Sequence, residues 1–221
     1  MRLRGTLTTA LALAALTATP SLAAVTTKAG LPAAKPVSWT DVAGDANGLN
    51  DESGLSPAGP SNMATPGSIA SDDLLAVTFA RLDNSKTVSG LTVTMKLSAP
   101  PAAGALYRIT GSAAGCSTFW FQYYWGLGAS PVATLRHNCG VAASTTSATT
   151  TVSVPIDAKV VGSSIVWTLK LTDLPAGIKL GSVLSPTLAE VRAILGAAGT
   201  GLTLPTIDQT DVQTATYKIG Q

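Results

Sequence analysis

The residues best equipped for chemistry are acids. The segment Asp41-Val42-Ala43-Gly44-Asp45-Ala46-Asn47-Gly48-Leu49-Asn50-Asp51-Glu52 sets oxygen donors two to four positions apart, with glycines that permit tight turns. Hard carboxylate and amide oxygens in such a pattern suit Ca2+, which takes about 6 to 8 oxygen ligands. The candidate metal ligands are Asp41, Asp45, Asn47 and Asp51, joined by Asp73 from further along the chain. The register is not that of an EF-hand, which needs oxygens at its first, third and fifth positions, Gly sixth and Glu twelfth. The alternative is a solvated turn in which Asp and Asn side chains cap backbone amides.

Charge is unevenly spread. Residues 36–80 hold Asp41, Asp45, Asp51, Glu52, Asp72 and Asp73, and no Lys or Arg. Six carboxylates with no base nearby in sequence must repel one another, pair with distant Arg or Lys, or bind a cation. The whole chain has 14 bases and 12 acids. Two of those bases, Arg2 and Arg4, belong to an N-terminal segment that reads as removable, and without them the two counts are equal. A neutral mature chain has no electrostatic footprint for nucleic acid or anionic membranes.

The second concentration of chemistry is aromatic. Phe119, Trp120, Phe121, Tyr123, Tyr124 and Trp125 are six of the eleven aromatic residues and fall within seven positions. On a strand they divide into Phe119, Phe121, Tyr123 and Trp125 on one face and Trp120 and Tyr124 on the other. Two arrangements stay open. Both faces are buried, or Trp120 and Tyr124 form a flat platform on which a sugar ring stacks, with Gln122 placed on the opposite face.

No catalytic residues are assigned, and the expectation is a non-enzyme. His137 is the single histidine, beside Arg136 and two residues before Cys139. It reads as a surface or disulfide-flanking residue. There is no Gly-x-Ser-x-Gly elbow, His-Glu-x-x-His or Ser-x-x-Lys motif to supply it with a nucleophile or metal. The only glutamates are Glu52 and Glu190, and Glu190 reads as a helix surface residue. Gly126-x-Gly128 lacks the Lys and the helix that a phosphate loop requires.

The N-terminus carries a compartment signal. Arg2 and Arg4 precede the uncharged run Leu7–Leu16, Pro20 breaks it, and Ser21-Leu22-Ala23 offers small residues. This pattern predicts a secretory signal peptide over 1–23, and hence a secreted, extracellular protein. No later run is long enough to span a bilayer. In an oxidising compartment Cys116 and Cys139 are expected to form a disulfide.

The elements that must position these residues follow a period of two. Leu91, Val93, Met95 and Leu97 alternate with Thr92, Thr94, Lys96 and Ser98. Leu75–Phe79, Phe119–Tyr124, Thr150–Val154, Ile165–Leu171 and Val212–Ile219 read similarly, separated by turn signals such as Pro100-Pro101 and Pro175-Ala176-Gly177. The expectation is an all-β fold, an antiparallel β-sandwich of about 7 to 9 strands. One helix is predicted within it: Ser185 as cap, Pro186 at the first turn, Leu188, Val191 and Leu195 on one face, Gly196 at the end. Residues 24–36 read as a flexible leader and 37–221 as a single domain.

Ser38-Trp39-Thr40, then Asp41-x-x-Gly44-Asp45-x-Asn47-Gly48, a Gly/Pro-rich loop, and Asp72-Asp73-Leu74-Leu75-x-Val77 opening a strand form one composite pattern. It resembles secreted actinobacterial β-sandwich domains of the DOMON-like and family-9 carbohydrate-binding-module-like group. The resemblance covers residues 38 to 80 by motif, touching Asp41, Gly44, Asp45, Gly48 and Asp73, and the remainder by strand pattern. It implies an extracellular sandwich with a sugar-binding, haem-binding or purely structural role. The reading taken forward is a secreted, non-catalytic binding module for carbohydrate, with a structural Ca2+ site and with polysaccharide as partner. Its alternative is a structural or protein-interaction protein of the cell envelope, without a small ligand. Oligomeric state is not legible.

Overall fold

The computed structural model describes residues 31–41, 73–84, 86–140, 151–195, 202–210 and 213–221. The expected signal peptide lies outside these residues, as does most of the expected leader. Residues 31–36 run without regular structure up to the first strand; the Pro32 carbonyl accepts a hydrogen bond from Arg81 at 2.6 Å.

The described residues contain twelve strands. The first six are β1 (Val37–Thr40), β2 (Leu74–Asn84), β3 (Thr87–Leu97), β4 (Ala105–Ala113), β5 (Cys116–Trp125) and β6 (Val132–His137). The others are β7 (Val152–Pro155), β8 (Asp157–Val161), β9 (Ser164–Lys170), β10 (Val183–Leu195), β11 (Leu202–Gln209) and β12 (Tyr217–Lys218). A smaller sheet runs β1-β2-β3-β9-β8, and a larger one β11-β10-β4-β5-β6-β7, with β12 also pairing β10. Every pairing is antiparallel. The all-β sandwich expected from the alternation is therefore the fold, with more strands than the seven to nine expected.

The alternation explains the layering. On β3, Leu91, Val93, Met95 and Leu97 are fully buried, and the first three stand opposite Leu169, Trp167 and Ile165 of β9. This face packs against the inner face of the larger sheet, where Tyr107, Ile109, Phe119 and Phe121 are buried. Phe121 meets Phe79 edge-on at 6.1 Å between ring centroids and lies 6.4 Å from Trp167. The Trp167 indole Nε1 donates across the layers to the Gln122 carbonyl at 3.1 Å. Between β7 and β8 the chain changes sheets within one residue, and the Ile156 amide still donates to the Ala133 carbonyl.

The Cys116–Cys139 disulfide is present. It closes the β5–β6 hairpin at the end away from its turn. Pairing continues there through Asn138, whose amide donates to the Thr118 carbonyl and whose Oδ1 accepts from the Thr118 amide at 2.7 Å.

The expected helix is a strand. Val183–Leu195 is β10, and it pairs along its length with β4. Two local features imitate a helix. Pro186 suits a first turn, yet it lies in the gap between the pairings to β12 at Val183–Leu184 and to β11 from Glu190 onward. A missing N–H is tolerated at such an open side. Thr187 interrupts the register between Pro186 and Leu188, so the apolar residues no longer alternate simply. Two neighbouring strands decide the conformation over local propensity. The only helical turn among the described residues is a 3-10 turn at Leu171–Asp173. None of the described helices is long and apolar enough to cross a membrane.

Candidate functional site: the outer face of the larger sheet

Parity along β5 decides which aromatics are available. Phe119, Phe121 and Tyr123 are buried in the core. Trp125 packs partly buried against it, its ring 6.4 Å from Tyr123. Trp120 and Tyr124 point the other way and are half-buried. The placement of Gln122 on the face opposite Trp120 is corrected: a period of two sets all three even-numbered residues on the outer face. Trp120 and Tyr124 thus stand about 13 Å apart along the strand with Gln122 between them.

Register supplies the neighbours. Trp120 lies between Thr110 of β4 and Arg136 of β6, Gln122 between Arg108 and Thr134, and Tyr124 between Leu106 and Val132. The exposed Arg136 holds its guanidinium carbon 6.0 Å from the centroid of the Trp120 ring. One strand further, Glu190 of β10 stands opposite Arg108.

Glu190 is also corrected. It is a strand residue with 1 % side-chain exposure, against 22 % for Arg108 and 31 % for Arg192. Its Oε1 accepts from Arg108, and its Oε2 accepts from Arg192 Nε at 2.6 Å. A carboxylate this buried requires paired, hydrogen-bonded charge, and the two arginines supply it. On the described outer face, Arg108, Arg136, Arg192 and the exposed Lys218 of β12 stand against the carboxylate of Glu190, so the face is net positive.

The expected metal ligands fall elsewhere. Asp41 follows β1, and its amide donates to the Leu75 carbonyl at 2.9 Å. Asp73 is buried immediately before β2, and its carbonyl accepts from the Ser98 amide. Both therefore flank the same end of β2. Asp208 joins them from β11: buried, it accepts the Leu74 amide at its Oδ2, 2.5 Å away. Sequence reading missed Asp208 because its place depends on a contact across 134 positions. Asp45, Asn47 and Asp51 lie outside the described residues. Among the described residues no three His, Cys, Asp or Glu side chains come close enough to hold a metal ion.

His137 flanks the disulfide but is buried rather than on the surface. Its Nδ1 accepts from the Cys139 amide at 3.3 Å, which fixes the neutral ring with its proton on Nε2. Burial holds its pKa below the ordinary 6.5. The unfolded chain therefore takes up a proton at a pH where the folded chain has not. Stability is full above about 6.5 and is lost as the pH falls through the depressed folded value. Thermal melts from about pH 7 to about pH 5, above most carboxylate titrations, are expected to show this loss. In His137→Gln the slope should be flatter. An unchanged slope in that variant would show that His137 is not its source.

No family model, no curated protein and no solved structure matches the chain.

Proposed function

We propose that this chain is an exported, non-catalytic binding module that takes carbohydrate on the outer face of the larger sheet. The observation that supports it is the placement of Trp120 and Tyr124 together on the face that does not form the core, with Thr110, Gln122 and Thr134 among them. Half-buried aromatic rings are held rigid by their strand, and their remaining surface is apolar and flat, which suits the C–H face of a pyranose. The interleaved Thr110 and Thr134 hydroxyls match sugar hydroxyls, while Gln122 is itself buried. The Cys116–Cys139 disulfide fits the export read from the N-terminus.

Titration of the full-length secreted protein with soluble glycans, followed by tryptophan fluorescence, tests this. A saturable signal is expected. Trp120→Ala should weaken binding by about 30-fold or more, the loss typical of a central aromatic contact. The melting temperature should move little, because Trp120 is outside the main core. The absence of saturable binding to any neutral or charged glycan would end the proposal.

One observation favours the alternative of a protein-interaction role in the envelope. The edge strand β8 exposes Val160 and Val161, and an edge of this kind accepts an added strand from a partner.

A further inference from the structure

We infer that the outer face selects acidic polysaccharide, with Arg136, beside Trp120, as the receptor for a sugar carboxylate. This rests on the carbohydrate reading above and specifies its ligand class. The argument begins with the guanidinium at 6.0 Å from the Trp120 ring. An arginine within cation–π range of an aromatic ring keeps its planar set of N–H groups for other partners. Such a planar fork accepts a carboxylate through two parallel hydrogen bonds. Arg136 is exposed, so it pays little desolvation before ligand arrives.

Charge complementarity supports the same ligand. The Glu190 carboxylate is occupied by Arg108 and Arg192 at the far side of β4. It therefore offsets one of those two charges and leaves Arg136 without a facing acid on β4, β5 or β7. The residues opposite Arg136 in the sheet are Trp120 and Ser153. A neutral glycan would use the rings and hydroxyls of this face but would gain nothing from its net positive charge. A uronate chain would use both, with one ring over the aromatic strip and the carboxylate on Arg136. The β5 register places Tyr124 two same-face steps beyond Trp120, so the strip is long enough to meet a later sugar of the same chain.

The test uses the full-length secreted protein with polygalacturonate, its methyl ester, and polyglutamate, measured by calorimetry and tryptophan fluorescence. Polygalacturonate is expected to bind about 10- to 100-fold more tightly than the methyl ester, the range for a charge-assisted pair. The advantage should shrink as ionic strength rises from about 0.02 to about 0.5 M. Arg136→Gln should remove the advantage and leave ester binding in place, while Arg136→Lys should restore only part of it, having charge without the planar fork. Unchanged circular dichroism is expected for both, since the side chain is exposed. Equal affinity for the acid and the ester overturns this inference and leaves the carbohydrate reading standing. Retention of the advantage in Arg136→Gln overturns the assignment to Arg136. Polyglutamate binding as tightly as polygalacturonate overturns the selection of sugar. Failure of both glycans to bind overturns this inference, and the reading beneath it falls with it only when no other glycan binds either.

Discussion

Trp167→Ala is expected to cost about 3–5 kcal/mol of folding stability, the range for removing a large buried aromatic side chain. Trp167 is fully buried, stands on β9 opposite Val93, and touches the opposite layer through Phe121. Its indole also donates to the Gln122 carbonyl, so the deletion removes packing and leaves that acceptor without this partner. Trp167→Phe separates the two effects. It keeps most of the apolar volume and removes the donor, and should cost less than the alanine variant. Urea denaturation checks both. The midpoint should fall in the order wild type, Phe, Ala with a common slope, because the surface exposed on unfolding is nearly unchanged. An alanine variant as stable as wild type would mean that the two layers do not meet at this residue. A loss of this size is a large fraction of a typical domain's stability, about 5–15 kcal/mol. Gln122 belongs to the strand carrying Trp120 and Tyr124, so a loosened Trp167 contact is expected to blur their spacing as well.

Gly90→Ala should be comparably damaging, at about 3 kcal/mol or more, through the opposite mechanism of excess volume. Gly90 lies on β3 between Leu82 and Lys170. A methyl group added there would lie 2.1 Å from the Leu169 carbonyl oxygen and 3.0 Å from the Leu169 carbonyl carbon and Lys170 Cα. All three are backbone atoms, so no side-chain rotation relieves the clash, and β3 must draw away from β9. Gly115→Ala is the informative comparison. That glycine has φ +77° and nothing within 4 Å of the added carbon, so its cost is one of backbone conformation alone, about 1 kcal/mol. Melting temperatures of the two variants check the argument, and equal losses would refute it.

These two sites show what was and was not legible in the sequence. The run Leu91–Leu97 announces a strand because one of its faces meets the core and the other meets polar surroundings. β4 gives no comparable signal. Leu106 is buried on its outer face while Ala105 and Tyr107 are buried on the inner one, so the apolar and polar positions do not alternate. β10 lacks a strand signature because Pro186, Leu188, Val191 and Leu195 imitate helical spacing, while β4, its partner along its length, is distant in sequence. The aromatic division between Phe119, Phe121, Tyr123 and Trp120, Tyr124 could be read from parity alone. That Arg136 stands beside Trp120 could not, because it depends on the β5–β6 register. The Glu190 ion pair with Arg108 joins residues 82 positions apart and has no local signature.

The bridge between Cys116 and Cys139 has a consequence for how the chain withstands proteolysis. It ties together the two strands that carry Trp120 and Arg136, while the loop joining them exposes Leu127 at its tip. Scission by a protease anywhere from Gly126 to Pro131 would leave two fragments still covalently linked. Such a nicked molecule would migrate as one species until reduced.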